Sequence, residues 1–123
     1  MTDDPANNMQ NVHAFLAACS VLPHAPADLE TMTAYNLLTP AEIRSHMLKR
    51  TTPYEDALRN VKVPVLITHG EQDQIVIPAM AHYTASVIPH ARMSIYSHCG
   101  HMPFWEDTDR FNRELAELVS GSV

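Results

Sequence analysis

What the chain has least of narrows its class. Basic residues are few: eight Lys and Arg stand against fourteen Asp and Glu, a formal net charge of -6. A surface of that sign lacks the positive stripe that binds a phosphate backbone, so nucleic acid is not an expected partner. Cysteine is scarcer still. Cys19 and Cys99 sit in unrelated contexts and build no disulfide framework, which fits reduced thiols in a cytoplasmic protein. No apolar run approaches spanning length, and the acidic opening Met1-Thr2-Asp3-Asp4-Pro5 lacks the basic-then-apolar layout of a signal peptide. Membrane insertion and export are therefore not expected. Internal repeats and low-complexity tracts are missing too. What remains, 46% hydrophobic and 18% charged residues, is an ordinary globular composition with one domain as the natural expectation.

Prolines cut the first half into short helices. After Asp4-Pro5, the residues Met9, Val12, Leu16 and Cys19 recur on one helical face. Pro26 to Leu38 carries a looser stripe of Leu29, Met32 and Leu37, and Thr39-Pro40 interrupts the chain again. Thr39-Pro40-Ala41-Glu42 and Thr52-Pro53-Tyr54-Glu55 both read as capping boxes. In each, the hydroxyl accepts an orphan amide proton, the proline needs no donor, and the glutamate reaches back to the cap amide.

After Asn60 the pattern changes. Val61, Val63, Val65, Leu66 and Ile67 form a β-branched run without helical period, which predicts a buried strand over Val63–Thr68. A helix over Pro78–Val87 and a second strand over Arg92–Ser97 follow. Strand, helix, strand predicts a parallel pair, with a right-handed crossover in about 98% of such units. Asp107 or Thr108 then caps a last helix in which Phe111, Leu115 and Leu118 recur at helical spacing, with Arg110 and Glu114 one turn apart. Active groups in parallel sheets gather outside the carboxyl ends of the strands. Gly70-Glu71-Gln72-Asp73 leaves one such end, and His98-Cys99-Gly100-His101 leaves the other. A carboxylate facing an imidazole fixes its tautomer and stabilises the imidazolium formed when the ring takes a proton.

Those two loops carry a resemblance. Val63-Pro64-Val65-Leu66-Ile67-Thr68-His69-Gly70-Glu71-Gln72-Asp73-Gln74-Ile75-Val76 resembles the strand and acid turn of the α/β-hydrolases, and Gly100-His101-Met102-Pro103-Phe104-Trp105-Glu106-Asp107 is similar to their histidine loop. The likeness covers Val61 to Val119. It implies an α/β fold: the C-terminal part of a hydrolase, two parallel strands with flanking helices, preceded by a helical segment placed like the family's cap. By that likeness residues 1–60 are the cap-like segment and 61–123 the core segment. Asp73 is then the triad acid and His101 the general base, and no cofactor is implied; apart from the likeness, the aromatic pair Phe104 and Trp105 is a candidate lining for a substrate pocket. The nearest members are cap-bearing esterases, carbon–carbon hydrolases and cofactor-free haloperoxidases.

One part of that machinery cannot be written from these residues. The nucleophile elbow, Gly-x-Ser-x-Gly or a variant, needs flanking glycines, and the three glycines lie at 70, 100 and 121. Ser20, Ser45 and Cys19 fall in helical contexts without them. Two functions are therefore expected in competition. One is a hydrolase portion acting on a small ester or related molecule, its nucleophile supplied from upstream of Met1 or by another chain. The other is a non-catalytic remnant or interaction module using an exposed sheet edge, because two strands leave unpaired edges. Self-association or a complementing chain would answer that exposure.

Simpler roles stand beside these. Asp73 could be a turn aspartate, Glu71 a solvated one, and His101 a loop histidine bonded to a carbonyl. Phe104 and Trp105 could seal the core. His98, Cys99 and His101 offer zinc donors but lack a second spaced pair, so no metal is expected. Glu106, Asp107 and Asp109 read as favourable charges at the start of the last helix.

Overall fold

The computed structural model describes residues 5–49 and 53–121. Four helices come first: α1 (Pro5–Cys19), α2 (Pro26–Leu38), α3 (Ala41–Lys49) and α4 (Glu55–Arg59). Then follow β1 (Leu66–Gly70), α5 (Pro78–Val87), β2 (Arg92–Tyr96), α6 (Pro103–Glu106) and α7 (Thr108–Ser120). The α/β expectation holds, with two parallel strands flanked by helices after a helical first half.

The apolar stripe of α1 packs as its spacing predicts: Val12, Leu16 and Cys19 are buried, and only Met9 at its outer end is exposed. In α2 the inward face is Leu29, Met32 and Thr33. Leu37, counted on that stripe from the sequence, is exposed instead, because Asn36, about two helical turns beyond Leu29, takes the inner face and Leu37 is rotated off it. Thr39 is also reassigned. It forms the C-cap of α2, its amide bonded to the Asn36 carbonyl at 3.3 Å, while Pro40 supplies the carbonyl that the Arg44 amide meets in α3. The second expected capping box rests on Thr52, which lies outside the described residues.

The strand begins and ends later than the β-branched run suggested. Val63 is exposed, and its carbonyl accepts from His90 Nε2 at 3.0 Å. The ladder starts where the Arg92 amide reaches the Val65 carbonyl at 2.9 Å, and pairing runs from Leu66 with Arg92 to Gly70 with Tyr96. The partner strand, not local β-propensity, sets the length of β1. Helix α5 lies across both strands and buries Ala81 and Val87, with Ile88 just beyond.

Helix α7 is clamped to β2 by a polar network. Tyr96 Oη donates to Glu114 Oε2 at 2.7 Å and Ser94 Oγ to Glu114 Oε1 at 2.8 Å. Arg110 donates from Nε to Glu114 Oε1 at 2.9 Å and stacks 3.9 Å over the Tyr96 ring. Burial, with the Glu114 carboxylate beside it, pushes the Tyr96 phenol far up, so it stays a donor. Asp107 caps α7 as expected, accepting from the Arg110 amide at 3.4 Å. The short α6 was not anticipated.

Candidate active site

Two loops at the carboxyl ends of β1 and β2 make the site, and backbone bonds zip them together. The Glu71 amide donates to the Tyr96 carbonyl at 2.9 Å and the Gln72 amide to the Cys99 carbonyl at 3.0 Å. The Gln72 side chain adds a bond to the Ser97 carbonyl at 3.0 Å. Gly70 makes this approach feasible. A Cβ there would lie 1.9 Å from the Gly100 carbonyl oxygen and 2.4 Å from that of Cys99, so no larger residue fits.

On this seam Asp73 is turned inward, its side chain 2% exposed. Oδ1 accepts the amides of Ile75 and Val76 at 2.8 and 2.9 Å, an Asx-type turn that fixes the carboxylate plane. Oδ2 faces His101 Nδ1 at 2.8 Å. Burial alone would raise the carboxyl's pKa. The Val76 amide, the His101 ring and the Ile75 amide outweigh it and hold the group below its ordinary value. An ionised Asp73 only accepts, so the proton on this bond belongs to Nδ1 and the lone pair of the imidazole lies on Nε2. The His101 side chain is 36% exposed, open enough for Nε2 to meet a partner.

Sequence reasoning missed His69. Its Nε2 donates to the Val76 carbonyl at 2.9 Å and stands 3.5 Å from Asp73 Oδ2, so the acid turn is braced from the strand beneath it. The signal was present as a histidine four residues before the aspartate, but only strand pairing turns it toward that turn.

A sequence profile described as the alpha/beta hydrolase fold matches residues 28–108. The chain belongs to that family. Its relatives include a pimeloyl-[acyl-carrier protein] methyl ester esterase of Nitrosomonas europaea, 32% identical over 74 residues that cover 59% of this chain and 29% of that protein. The non-heme chloroperoxidase CPO-A1 of Kitasatospora aureofaciens is likewise 32% identical over 74 residues, covering 56% of this chain and 26% of that one. The solved esterase RhEst1 from Rhodococcus sp. superposes with a TM-score of 0.87 at 28% identity, over 97% of this chain and 44% of its own. This α/β-hydrolase chain thus spans less than half the length of each of these three relatives.

Other sequence candidates fall elsewhere. Phe104 and Trp105 lie on α6 with both rings about half exposed, so neither seals the core. Phe104 meets Phe111 edge-on at 6.1 Å, and Trp105 borders a recess of about 190 Å³ with Ser20, His24, Asp28 and Glu106. Cys19 closes α1, its thiol pushed up by burial and then by the Asp73 charge, which makes it a poor nucleophile. Ser20 lies in the turn after α1 rather than in a helix. Among the described residues no hydroxyl or thiol is hydrogen-bonded to the His101 ring. Glu106 does not serve the last helix: its carboxylate folds back onto three backbone amides because α6 ends there and points it at the α1–α2 turn. No group of three or more metal-binding side chains occurs among the described residues.

Proposed function

We propose that this chain carries the acid and base of a hydrolase triad, with His101 as general base and Asp73 as its orienter. The reaction class is attack on a small ester or related substrate. The observation that carries the reading is the His101 Nδ1 to Asp73 Oδ2 bond of 2.8 Å, on a carboxylate whose other oxygen is held by two amides. That arrangement leaves Nε2 free to take a proton from a nucleophile and return it to a leaving group. The nucleophile comes from a segment or chain bearing an elbow, and each strand of the two-stranded sheet of described residues has an unpaired side on which such a segment would add. We further take residues 1–60 as a cap-like segment and 61–123 as core. An apolar recess of about 270 Å³ lies among α1, α2 and α3, lined by Val12, Phe15 and Met47. Trp105, which borders a separate recess with Ser20 and Glu106, and Phe104 beside it are taken as substrate contacts. Two free, buried cysteines fit a cytoplasmic setting, and no helix among the described residues is long and apolar enough to cross a membrane. No cofactor enters this reading.

The test grafts the chain in place of the matching part of the Rhodococcus esterase and follows hydrolysis of a short-chain p-nitrophenyl ester. Turnover that vanishes in His101→Ala and falls steeply in Asp73→Asn supports the reading. A folded, monodisperse graft without turnover overturns it. The unpaired strand edges favour a second reading, an interaction module, which a stable complex formed without turnover would support.

A further inference from the structure

Glu106 spends both carboxylate oxygens on backbone outside its own helix. Oε2 accepts the Gly100 amide at 2.7 Å. Oε1 accepts the Val21 amide at 2.6 Å and the Leu22 amide at 3.2 Å. A separate bond runs alongside, from the His101 amide to the Cys19 carbonyl at 2.7 Å. The amides of Gly100 and His101 are thus both tied to the α1–α2 turn, one through Glu106 and one directly. Contact there is backbone to backbone, since a Cβ at Gly100 would stand 2.8 Å from the Cys19 carbonyl oxygen.

The chemistry of the tie selects a carboxylate. Two groups of N–H donors converge from opposite sides, and only an acceptor on both oxygens satisfies both. Glutamine would turn an NH₂ toward one of them, leaving a donor facing a donor. The His101 ring itself is held by one side-chain bond, to Asp73, so its aim depends on where the backbone beneath it is placed.

We propose that Glu106 is a positioning residue: it fixes the histidine loop against the α1–α2 turn, so that His101 stays on Asp73 and moves with the helical segment as one unit. The proposal rests on the acid–base reading of Asp73 and His101. It makes the placement of the helical segment a condition for the correct histidine tautomer, not merely a cover over the site.

The test is NMR on this chain with ¹⁵N-labelled histidine, comparing wild type with Glu106→Gln. In the wild type the His101 ring should show a protonated, hydrogen-bonded Nδ1, and the Val21, Leu22, Gly100 and His101 amides should share one protection factor against exchange with solvent. In Glu106→Gln those amides should exchange roughly tenfold faster, the loss of about one net hydrogen bond. The His101 tautomer should become mixed, while the amides of α7 stay unchanged. Faster exchange with an unaltered tautomer would show a fold brace and overturn the proposal, as would no change at all. A wild type without the Nδ1 signature would sink the acid–base reading, and the positioning role with it. If Glu106→Gln does not fold, the wild-type exchange decides: unequal protection factors for the turn and loop amides overturn the linkage, and a common protection factor supports it.

Discussion

The helical residues 5–49 and the α/β residues 61–121 are built on different kinds of bond. The α/β part is held by contacts distant in sequence: the β1–β2 ladder, the zipped acid and histidine loops, and the clamp of Glu114 on Tyr96 and Ser94. The helical part is held by the packing of α1 on α2 and by Arg44, which donates to Asn8 of α1 and to the Asn36 carbonyl of α2. It buries Val12, Leu16, Cys19 and Thr33, yet leaves Tyr35 69% and Leu38 76% exposed. Apolar surface is left open in the α/β part too, where Val63 is 65% and Val119 80% exposed, so the regions differ in what joins their segments and not in how much apolar surface they leave open. The regions meet at Cys19–Leu22, against the histidine loop.

The comparison breaks most severely at the seam. Gly70→Ala drives a Cβ into the Gly100 and Cys99 carbonyls, and since both are backbone the strain is relieved only by parting the loops. A loss of about 3 kcal/mol or more is expected in thermal or urea unfolding, together with loss of the His101 Nδ1 signal. A stability within experimental error of wild type would mean that the loops are not packed as described.

Asp73→Asn is the next largest, at about 2 kcal/mol near neutral pH, because an NH₂ is turned toward groups that donate. Its pH dependence has a defined sign. The folded pKa of Asp73 lies below its ordinary value, so its stabilisation is complete above the unfolded pKa near 3.8 and is lost as pH falls through the lower folded value. Wild type and Asp73→Asn should differ above that range and converge below it. Melting curves recorded from pH 7 downward test this, and a gap that persists at the lowest pH would refute it.

Tyr96→Phe removes one bond to Glu114 while keeping the ring under Arg110. Urea unfolding should report about 1 kcal/mol, with the acid and histidine loops unchanged in amide spectra. Leu38→Ser should be the mildest, within about 0.5 kcal/mol, because the side chain already faces solvent. A cost well above that would show Leu38 to be packed in solution.

Much of the fold was legible in the residues. The α1 stripe, the bounds of α2 and α5, the parallel strand pair and the α7 cap follow from spacing of 3.6 or from proline and aspartate signals, which are local. Readings that failed needed a partner to decide them. The extent of β1 depended on β2, the inner face of α2 on α1, and the role of Thr39 on two helices competing for it.

The site divides along the same line. Asp73 and His101 stood out because a loop at each strand end carried one titratable group in a recognisable motif. Strand order then brought them within a hydrogen bond. By itself the sequence determined most of the elements, α6 excepted, and singled out the two side chains that the proposed reading uses. The tertiary structure alone decided that His69 braces the acid turn, that Glu106 serves the histidine loop, and that Gly70 must be bare. Those roles are hydrogen bonds and close approaches between segments separated in sequence by a few to about 85 positions, which local pattern does not encode.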